Sequence, residues 1–332
     1  MAEPVRLHLP GDRPSDAPTL DTWVAGLPDP QVPLGRIIAA IARAAIPLAD
    51  RLAQGRLPGD PTAIVGRNDS GDAQKALDVA AHDYMIAALH DTGVASVLSE
   101  EAEEVIPLNP NGRFDVAIDP IDGSASIGIG APLGLLFCVF PAGGFLRPGR
   151  DVVAAGYVSF GHSTDMAFGV GNGVVATTLD RQADVFRVTG TDLRLPPKAT
   201  TIAYNASNVR HWAPGLQRYV ADCVAGASGP RGRDFNMRWL AAAVGETHRI
   251  LVRGGLFFYP ADDREGYAQG RLRLIYEAVP IAWLIEQAGG AATDGRTPIL
   301  DRIPGSLHEH TPLIFGDADE VAVLGRYLSE TP

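Results

Sequence analysis

Glu100 and Glu101 close one apolar run, VASVLSEE, and Asp119 and Asp122 close another, FDVAIDPIDGS, with Gly123 and Ser124 directly behind them. Four carboxylates gathered in this way repel: two unit charges about 4 Å apart cost roughly 4 kcal/mol at an effective dielectric near 20. A chain that keeps such a cluster needs a cation to neutralise it. An all-oxygen set without Cys or His suits a hard ion such as Mg²⁺ or Mn²⁺. The Gly-Ser pair offers backbone N–H groups and a hydroxyl to a phosphate oxygen. Metal plus phosphate points to hydrolysis of a phosphate ester.

Taken singly, these features have plainer readings. Adjacent glutamates are commonly a solvated surface pair, and Asp-Pro and Asp-Gly are turn formers. Their short separation, with each pair ending an apolar run, favours a bimetal site. Two ions roughly 3.5–4 Å apart can clamp a phosphate and activate a water. Asp72 and Asp78 sit upstream in GDAQKALD, where the residue pattern alone favours Asp72 as a cap of the helix that follows.

The elements that must position these acids follow from apolar spacing. Residues 1–33 are rich in Pro, Asp and Gly and read as a leader with a short helical stretch at TLDTWVAGL. Leu34, Ile37, Ile38, Ile41, Ala45, Leu48 and Leu52 follow a helical period, with Pro47 as an expected kink. Residues 54–73 are dense in Gly, Pro and Asp and predict a loop long enough to be a functional lid. A second helix follows, with Leu77, Ala80, Ala81, Tyr84 and Ala88 on one face. Strands are expected at 94–98, 114–118, 134–140 and 152–160, and more strands broken by glycines across 166–195. Pro196-Pro197-Lys198 is the best internal break. Beyond it, one helix is predicted over about 236–252, stopping at Gly254-Gly255. Another begins after Glu277, with Pro280 in its first turn and Gly289-Gly290 past its end. Two mixed α/β halves result, with sheets between helix layers.

The 332 residues suffice for one large domain or two of ordinary size, and 46% hydrophobic content supports a sizeable core. A net charge of −11 argues against nucleic acid or an anionic membrane as the main partner. Cys138, inside GLLFCVF, and Cys223 show no paired spacing, so a disulfide framework is not expected. No secretory leader pattern and no run of 18 apolar residues is seen, which makes a cytoplasmic protein the expectation.

These motifs closely resemble the class I fructose-1,6-bisphosphatase family, from about residue 34 to the C-terminus. The signature comprises GDAQKALD at 71–78, SEE at 99–101, DPIDGSASI at 119–127, ETHRILVRGGLFFYP at 246–260 and GRLRLIYE at 270–277. Inositol monophosphatases, the nearest rivals, carry a late WDxAAG-type element; RLRLIYEAVPIAWLIEQAGG stands in its place here. The resemblance implies a layered α/β/α/β/α sandwich and a homotetramer. It also implies Mg²⁺-dependent removal of the 1-phosphate from fructose 1,6-bisphosphate, in gluconeogenesis or the Calvin cycle, with two or three Mg²⁺ per subunit and Mn²⁺ as a possible substitute. By the same resemblance Glu100, Glu101, Asp119, Asp122, Glu277 and the carbonyl of Ile121 are metal ligands. Asp78 and Glu101 take the proton from the attacking water, and Asp72 assists. Asp122, Gly123 and Ser124 face the 1-phosphate. Asn205, Asn208, Arg238, Trp239, Tyr259 and Arg271 surround the sugar and 6-phosphate, with Arg238 serving a neighbouring subunit. Residues 1–195 would then carry the metal-site carboxylates and effector-type helices, and 196–332 the sugar-binding residues.

The chain departs from the family pattern at several positions. Arg271 replaces a usual lysine, and Asn208 and Trp239 replace tyrosines, which removes two phenolic hydroxyls from the distal phosphate site. Such a change could admit sedoheptulose 1,7-bisphosphate, alone or alongside the fructose sugar. PDPQVPLGR lacks the family's AMP-binding loop, and Arg113-Phe114 replaces a Lys-Tyr pair, so weak or absent AMP inhibition is expected. A non-catalytic sugar-phosphate sensor would have lost a ligand or base, and none is lost here.

Overall fold

The computed structural model describes residues 9, 15–67 and 73–330. The chain opens with helices α1 (Leu20–Ala25) and α2 (Val32–Ala53), then strands β1 (Ile64–Arg67) and β2 (Ala73–Lys75) and helix α3 (Ala76–Leu89). Strands β3 (Val94–Ser99), β4 (Ile106–Pro107), β5 (Phe114–Asp122), β6 (Leu133–Pro141), β7 (Ala154–Phe160), β8 (Thr164–Gly169), β9 (Val175–Asp180) and β10 (Val185–Gly190) follow. The second half runs β11 (Thr201–Ala203), α4 (Pro214–Val224), β12 (Asn236–Met237), α5 (Ala243–Arg253), β13 (Leu256–Tyr259) and β14 (Leu272–Arg273). It ends with α6 (Val279–Gln287), β15 (Ala291–Thr293), β16 (His310–Thr311), β17 (Leu313–Gly316) and α7 (Ala318–Ser329).

Among the described residues, the first half forms one large sheet in the order β10-β9-β8-β7-β6-β5-β3-β4. It is antiparallel except at β3 and β5, which run side by side in the same direction. The second half builds a five-stranded sheet, β12-β11-β13-β17-β15, also of mixed direction.

Side-chain alternation on the strands sets the layers. On β6, Leu135, Phe137 and Val139 join one core cluster, under α1, α2 and α3. The intervening Leu136, Cys138 and Phe140 join a second, shared with α5, α6 and the inner face of the five-stranded sheet. That sheet's other face, with Ile202, Leu256, Phe258 and Ile314, packs on α4 and α7 in a third cluster. The order is helices, sheet, helices, sheet, helices, as expected. A sheet covered on both faces explains why β5 and β6 read as nearly continuous apolar runs rather than alternating ones.

Several sequence expectations are refined. The predicted 54–73 loop holds β1 in its second half, paired antiparallel with β2; Asp72 lies outside the described residues. On α3 the buried stripe is Leu77, Ala81, Met85 and Leu89, while Ala80 and Tyr84 face solvent. The helix predicted over 236–252 begins only at Ala243. Residues before it extend along β11, with Asn236 N–H donating to Thr200 and Arg238 N–H to Ile202. Ala241 adopts a φ of 60°, which interrupts the path before the helix starts. Helix α2 is long and apolar enough to cross a bilayer, with mean hydropathy 1.6, yet 67% of that window is buried inside the protein, as a core helix would be.

Ile41 on α2 is fully buried and Tyr84 on α3 is 52% exposed. Ile41→Ala is expected to cost about 2–5 kcal/mol, and Tyr84→Ala to stay within about 0.5 kcal/mol of the parent, both read from urea unfolding. A large loss at Tyr84 would place that side chain in the core, contrary to this packing.

Candidate active site

The acids gather at the C-terminal ends of the parallel pair β3 and β5, the edge at which α/β sheets commonly bind ligands. Plain strand alternation would send Asp119 and Asp122, three residues apart, to opposite faces. The pairing with β6 prevents this: Asp119 lies opposite Leu136 and Asp122 opposite Gly134, so β5 contains one extra residue here. This bulge turns both carboxylates to the inner face. Ile121 goes the other way, into the core under α2 and α3. Gly134 is a close-approach glycine, since a Cβ there would lie 2.1 Å from the Val158 carbonyl and 2.8 Å from Val244.

Glu277 arrives from the other half of the chain. It sits in a π-helical turn, Leu274–Ala278, that leads into α6. Such turns recur at functional sites because they re-aim a side chain. Its Oε2 accepts the Arg273 N–H at 2.5 Å. Carboxylate oxygens of Asp119, Asp122 and Glu277 all lie within 4.8 Å of one another, and all three residues are buried. Asp119 Oδ1 accepts the Ile121 N–H at 2.9 Å, and Asp122 Oδ2 the Val244 N–H at the start of α5 at 2.6 Å. Glu100 shares a hydrogen bond with Asp119, and Glu101 is close enough to raise the pKa of Asp78.

The electrostatics is that of a buried cluster of acids. Burial, then Glu100, Asp122 and Glu277, push Asp119 well above the usual carboxylate range. Burial, with Glu100 and Asp122, does the same to Glu277. Burial raises Glu100 to about 7 and Asp122 to about 6, the latter against N–H donors from Val244 and Ala243. A divalent ion would invert this logic and hold all of them ionised. The donor set is all oxygen, which fits Mg²⁺ or Mn²⁺.

Asp78, on the first turn of α3, is also buried. Burial and then Glu101 lift it to about 6, with Lys75 pulling the other way. Its Oδ1 has no hydrogen-bond partner among the described residues. Behind the cluster, Gly123 has a φ of 81°, and a Cβ would sit 2.9 Å from that of Ala242. Gly123 leads into a short 3₁₀ turn, Ser124–Ser126, whose Ser126 N–H bonds back to the Gly123 carbonyl at 2.7 Å.

The distal candidates form a second group. Trp239 stacks on Phe257, with centroids 5.7 Å apart and planes 7° apart, and meets Tyr259 edge-on at 6.1 Å. Arg271 lies over Tyr267 at 4.9 Å, and Arg264, paired with buried Asp262, lies 3.9 Å from the same ring. Tyr259 feels all four of these residues. Asn208 is buried, while Asn205 caps the 3₁₀ turn that carries it by accepting the Ser207 N–H at 3.2 Å. Arg238 is exposed, its Nη1 donating to the Met237 carbonyl.

Two cations escaped the sequence reading. Arg273 opposes the raised pKa values of Glu100 and Glu277, so it is a neighbour of the cluster. Its alternation with Arg271 across Leu272, four residues before Glu277, was the available signal. Lys75 donates through Nζ to the Ser124 carbonyl at 2.6 Å, tying β2 to the turn behind Asp122. His248, within the ETHRILVRGGLFFYP motif, bonds through Nδ1 to the Tyr157 hydroxyl at 2.9 Å, a structural contact.

Comparison with known proteins agrees with this geometry. The family model described as fructose-1-6-bisphosphatase, N-terminal domain, matches residues 58–191, and that of the C-terminal domain matches 195–329. A class 1 fructose-1,6-bisphosphatase of Brucella anthropi is 50% identical over 314 residues, covering 94% of this chain and 92% of that one. The enzyme of the same name from Brucella suis is 50% identical over 311 residues, covering 93% and 91%. The crystal structure of Leishmania major fructose-1,6-bisphosphatase in holo form superposes with a TM-score of 0.88 at 27% identity, covering 95% of this chain and all of that one. The chain belongs to the class 1 fructose-1,6-bisphosphatase family.

Proposed function

We propose that this protein hydrolyses the 1-phosphate of D-fructose 1,6-bisphosphate, yielding fructose 6-phosphate and inorganic phosphate, as a cytoplasmic enzyme of carbohydrate metabolism. The observation that carries the reading is the buried convergence of Asp119, Asp122 and Glu277, with ligand oxygens within 4.8 Å, beside Glu100 and a Gly-Ser turn. Glu100, Glu101, Asp119, Asp122, Glu277 and the Ile121 carbonyl would hold Mg²⁺, two or three per subunit, with Mn²⁺ as a substitute. Bound metal supplies charge neutralisation and polarises a phosphoryl oxygen.

The protein's own groups do the rest. Asp78 and Glu101 accept the proton of the attacking water, helped by Asp72. The water oxygen bonds to phosphorus, the phosphorus–oxygen bond to C1 breaks, and the sugar alkoxide takes up a proton. Gly123 and Ser124, beside Asp122, offer N–H groups and a hydroxyl to the departing phosphate. Tyr259, Asn205, Asn208, Trp239 and Arg271 form the sugar and 6-phosphate side. Arg271, resting on the Tyr267 ring, presents its guanidinium edge. Asn205 commits its carbonyl oxygen to Ser207 and keeps its amide N–H groups for a ligand. Arg238, exposed on its own subunit, serves a neighbour's site in a homotetramer. The division of labour is by halves, 1–195 for most of the metal site and 196–332 for the sugar. A dual activity on sedoheptulose 1,7-bisphosphate is the second reading. It is favoured by Trp239, whose indole is packed on Phe257 and offers no hydroxyl to a distal phosphate.

Phosphate release from both sugars, with and without Mg²⁺, tests the reading. Mg²⁺-dependent turnover of the fructose sugar is expected, unaffected by micromolar AMP. Comparable turnover of the seven-carbon sugar would assign a dual enzyme. Folded, metal-loaded protein that releases phosphate from neither sugar refutes the assignment.

Asp78→Asn keeps the shape of the side chain and removes its basicity. A loss of about 10²–10⁴ in kcat with little change in KM is expected; an unchanged kcat would remove Asp78 from proton transfer.

The raised carboxyls also predict a pH signature in stability. The folded protein binds more protons than the unfolded chain, whose acids titrate near 4. In metal-free protein the ionised cluster therefore weakens the fold above about pH 7, and this penalty is relieved as pH falls through about 6. Mg²⁺ should accordingly raise Tm more at about pH 8 than at about pH 6. Equal increments at both would show that the cluster is not where the ion binds.

A further inference from the structure

The acid cluster draws its members from chain segments that lie far apart in sequence. Glu100 and Glu101 belong to the turn after β3, and Glu277 to the π-helical turn before α6. Metal ligands tolerate little relative displacement, so some contact must fix the distance between the two turns. The direct ladder between β14 and β16 fixes only one of them, through Leu272 with Thr311 and Arg273 with His310. Leu274 N–H donates to the Glu309 carbonyl at 2.8 Å, and Arg273 Nη1 to the His308 carbonyl at 2.8 Å.

The imidazole of His308 spans the gap. Its Nε2 lies 3.0 Å from the Glu103 carbonyl, on the turn that carries Glu100 and Glu101. A carbonyl can only accept, so Nε2 bears the hydrogen. In the neutral ring Nδ1 is then an acceptor, and the Tyr276 hydroxyl donates to it at 2.9 Å. Tyr276 is fully buried and immediately precedes Glu277. The two rings meet edge to face, with centroids 5.8 Å apart. The segment bearing His308 is itself anchored, since Arg302 bonds to Thr311 Oγ1 at 2.7 Å and pairs with Glu309 and Asp294.

We propose that His308 is a positioning residue for the metal site, bridging the Glu100–Glu101 turn to the Glu277 turn through Glu103 and Tyr276. This rests on the metal-site reading above. Both imidazole nitrogens are committed to protein partners, Glu103 on one side and Tyr276 on the other, and so set the separation of the carboxylates on either side. Partners hydrogen-bonded directly to metal ligands govern affinity by about 10–100-fold, and His308 acts one residue further out, at the lower end of that range.

Mn²⁺ binding, followed by the paramagnetic resonance of the free ion, tests the bridge without reference to turnover. His308→Ala should weaken Mn²⁺ binding by about tenfold. Tyr276→Phe, which removes one oxygen atom and keeps the buried ring, should weaken it in the same direction. The double variant should be no weaker than the worse single one, because both changes break one chain of contacts. His308→Gln, with a donor near the Nε2 position, should recover part of the loss. In turnover, the Mg²⁺ needed for half-maximal rate should rise while KM for the sugar bisphosphate holds. Folded His308→Ala or Tyr276→Phe protein that binds Mn²⁺ as tightly as the parent overturns the proposal, as do fully additive losses. Parent protein that binds no Mn²⁺ overturns the metal-site reading itself, a result distinct from failure of the bridge.

Discussion

The constraint on which this structure turns is the burial of like charges. Asp119, Asp122 and Glu277 lie almost entirely out of water with their oxygens within 4.8 Å, and Glu100 leans on Asp119. Desolvation raises every one of them, and repulsion from neighbouring carboxylates adds to it at Asp119, Glu277 and Glu100. Nothing in the packing of an apolar core would favour this arrangement. It is a loss in stability localised at one place, and a bound divalent cation reverses its sign. The surrounding layers exist, in effect, to hold these acids together against their repulsion.

How they are held follows from the layering. The large sheet is covered on both faces, so its strands are rigid and their ends are well defined. β3 and β5 run parallel and deliver acids to the same edge. The bulge on β5 adds one residue and brings Asp119 and Asp122 to the same face. The start of α5 then packs against Gly134, close enough for Val244 N–H to reach Asp122. From the opposite side, the π-helical turn aims Glu277 at the same point. The His308 bridge belongs to this set of devices, since it joins two turns that no strand pairing joins among the described residues.

Much of this was legible in the residues. The strand runs, the long helix α2 and the acid-ended motifs follow directly from apolar spacing and from the types of Asp, Glu, Gly and Ser at 100–124. Other features were not. Tyr84 fits a helical face by spacing, but the direction of burial depends on where α2 and the sheet lie, and that direction selects Met85 and Leu89 instead. The helix expected from 236 starts at Ala243, because Asn236 and Arg238 find backbone partners on β11, far away in sequence. Lys75 carries no local mark of its role, and Arg273 only the weak one of alternating with Arg271 just before Glu277. Each gains it from a neighbour 49 or more residues distant, Ser124 for Lys75, or from the folding back of β14 toward the acid cluster.

The sequence by itself determined which chemistry was possible. Clustered oxygen ligands without Cys or His, a Gly-Ser turn behind them and a net charge of −11 restrict the choice to a hard cation and a phosphate-bearing small molecule. These are properties of residue type, and residue type is local. The family resemblance had already grouped Glu277 with Glu100; only the tertiary structure decided how closely Glu277 approaches Asp119 and Asp122, that a one-residue bulge places those two side by side, and that Arg273, Lys75 and His308 stand around them. Distances between segments are fixed by packing and long-range hydrogen bonds, and no local pattern encodes them.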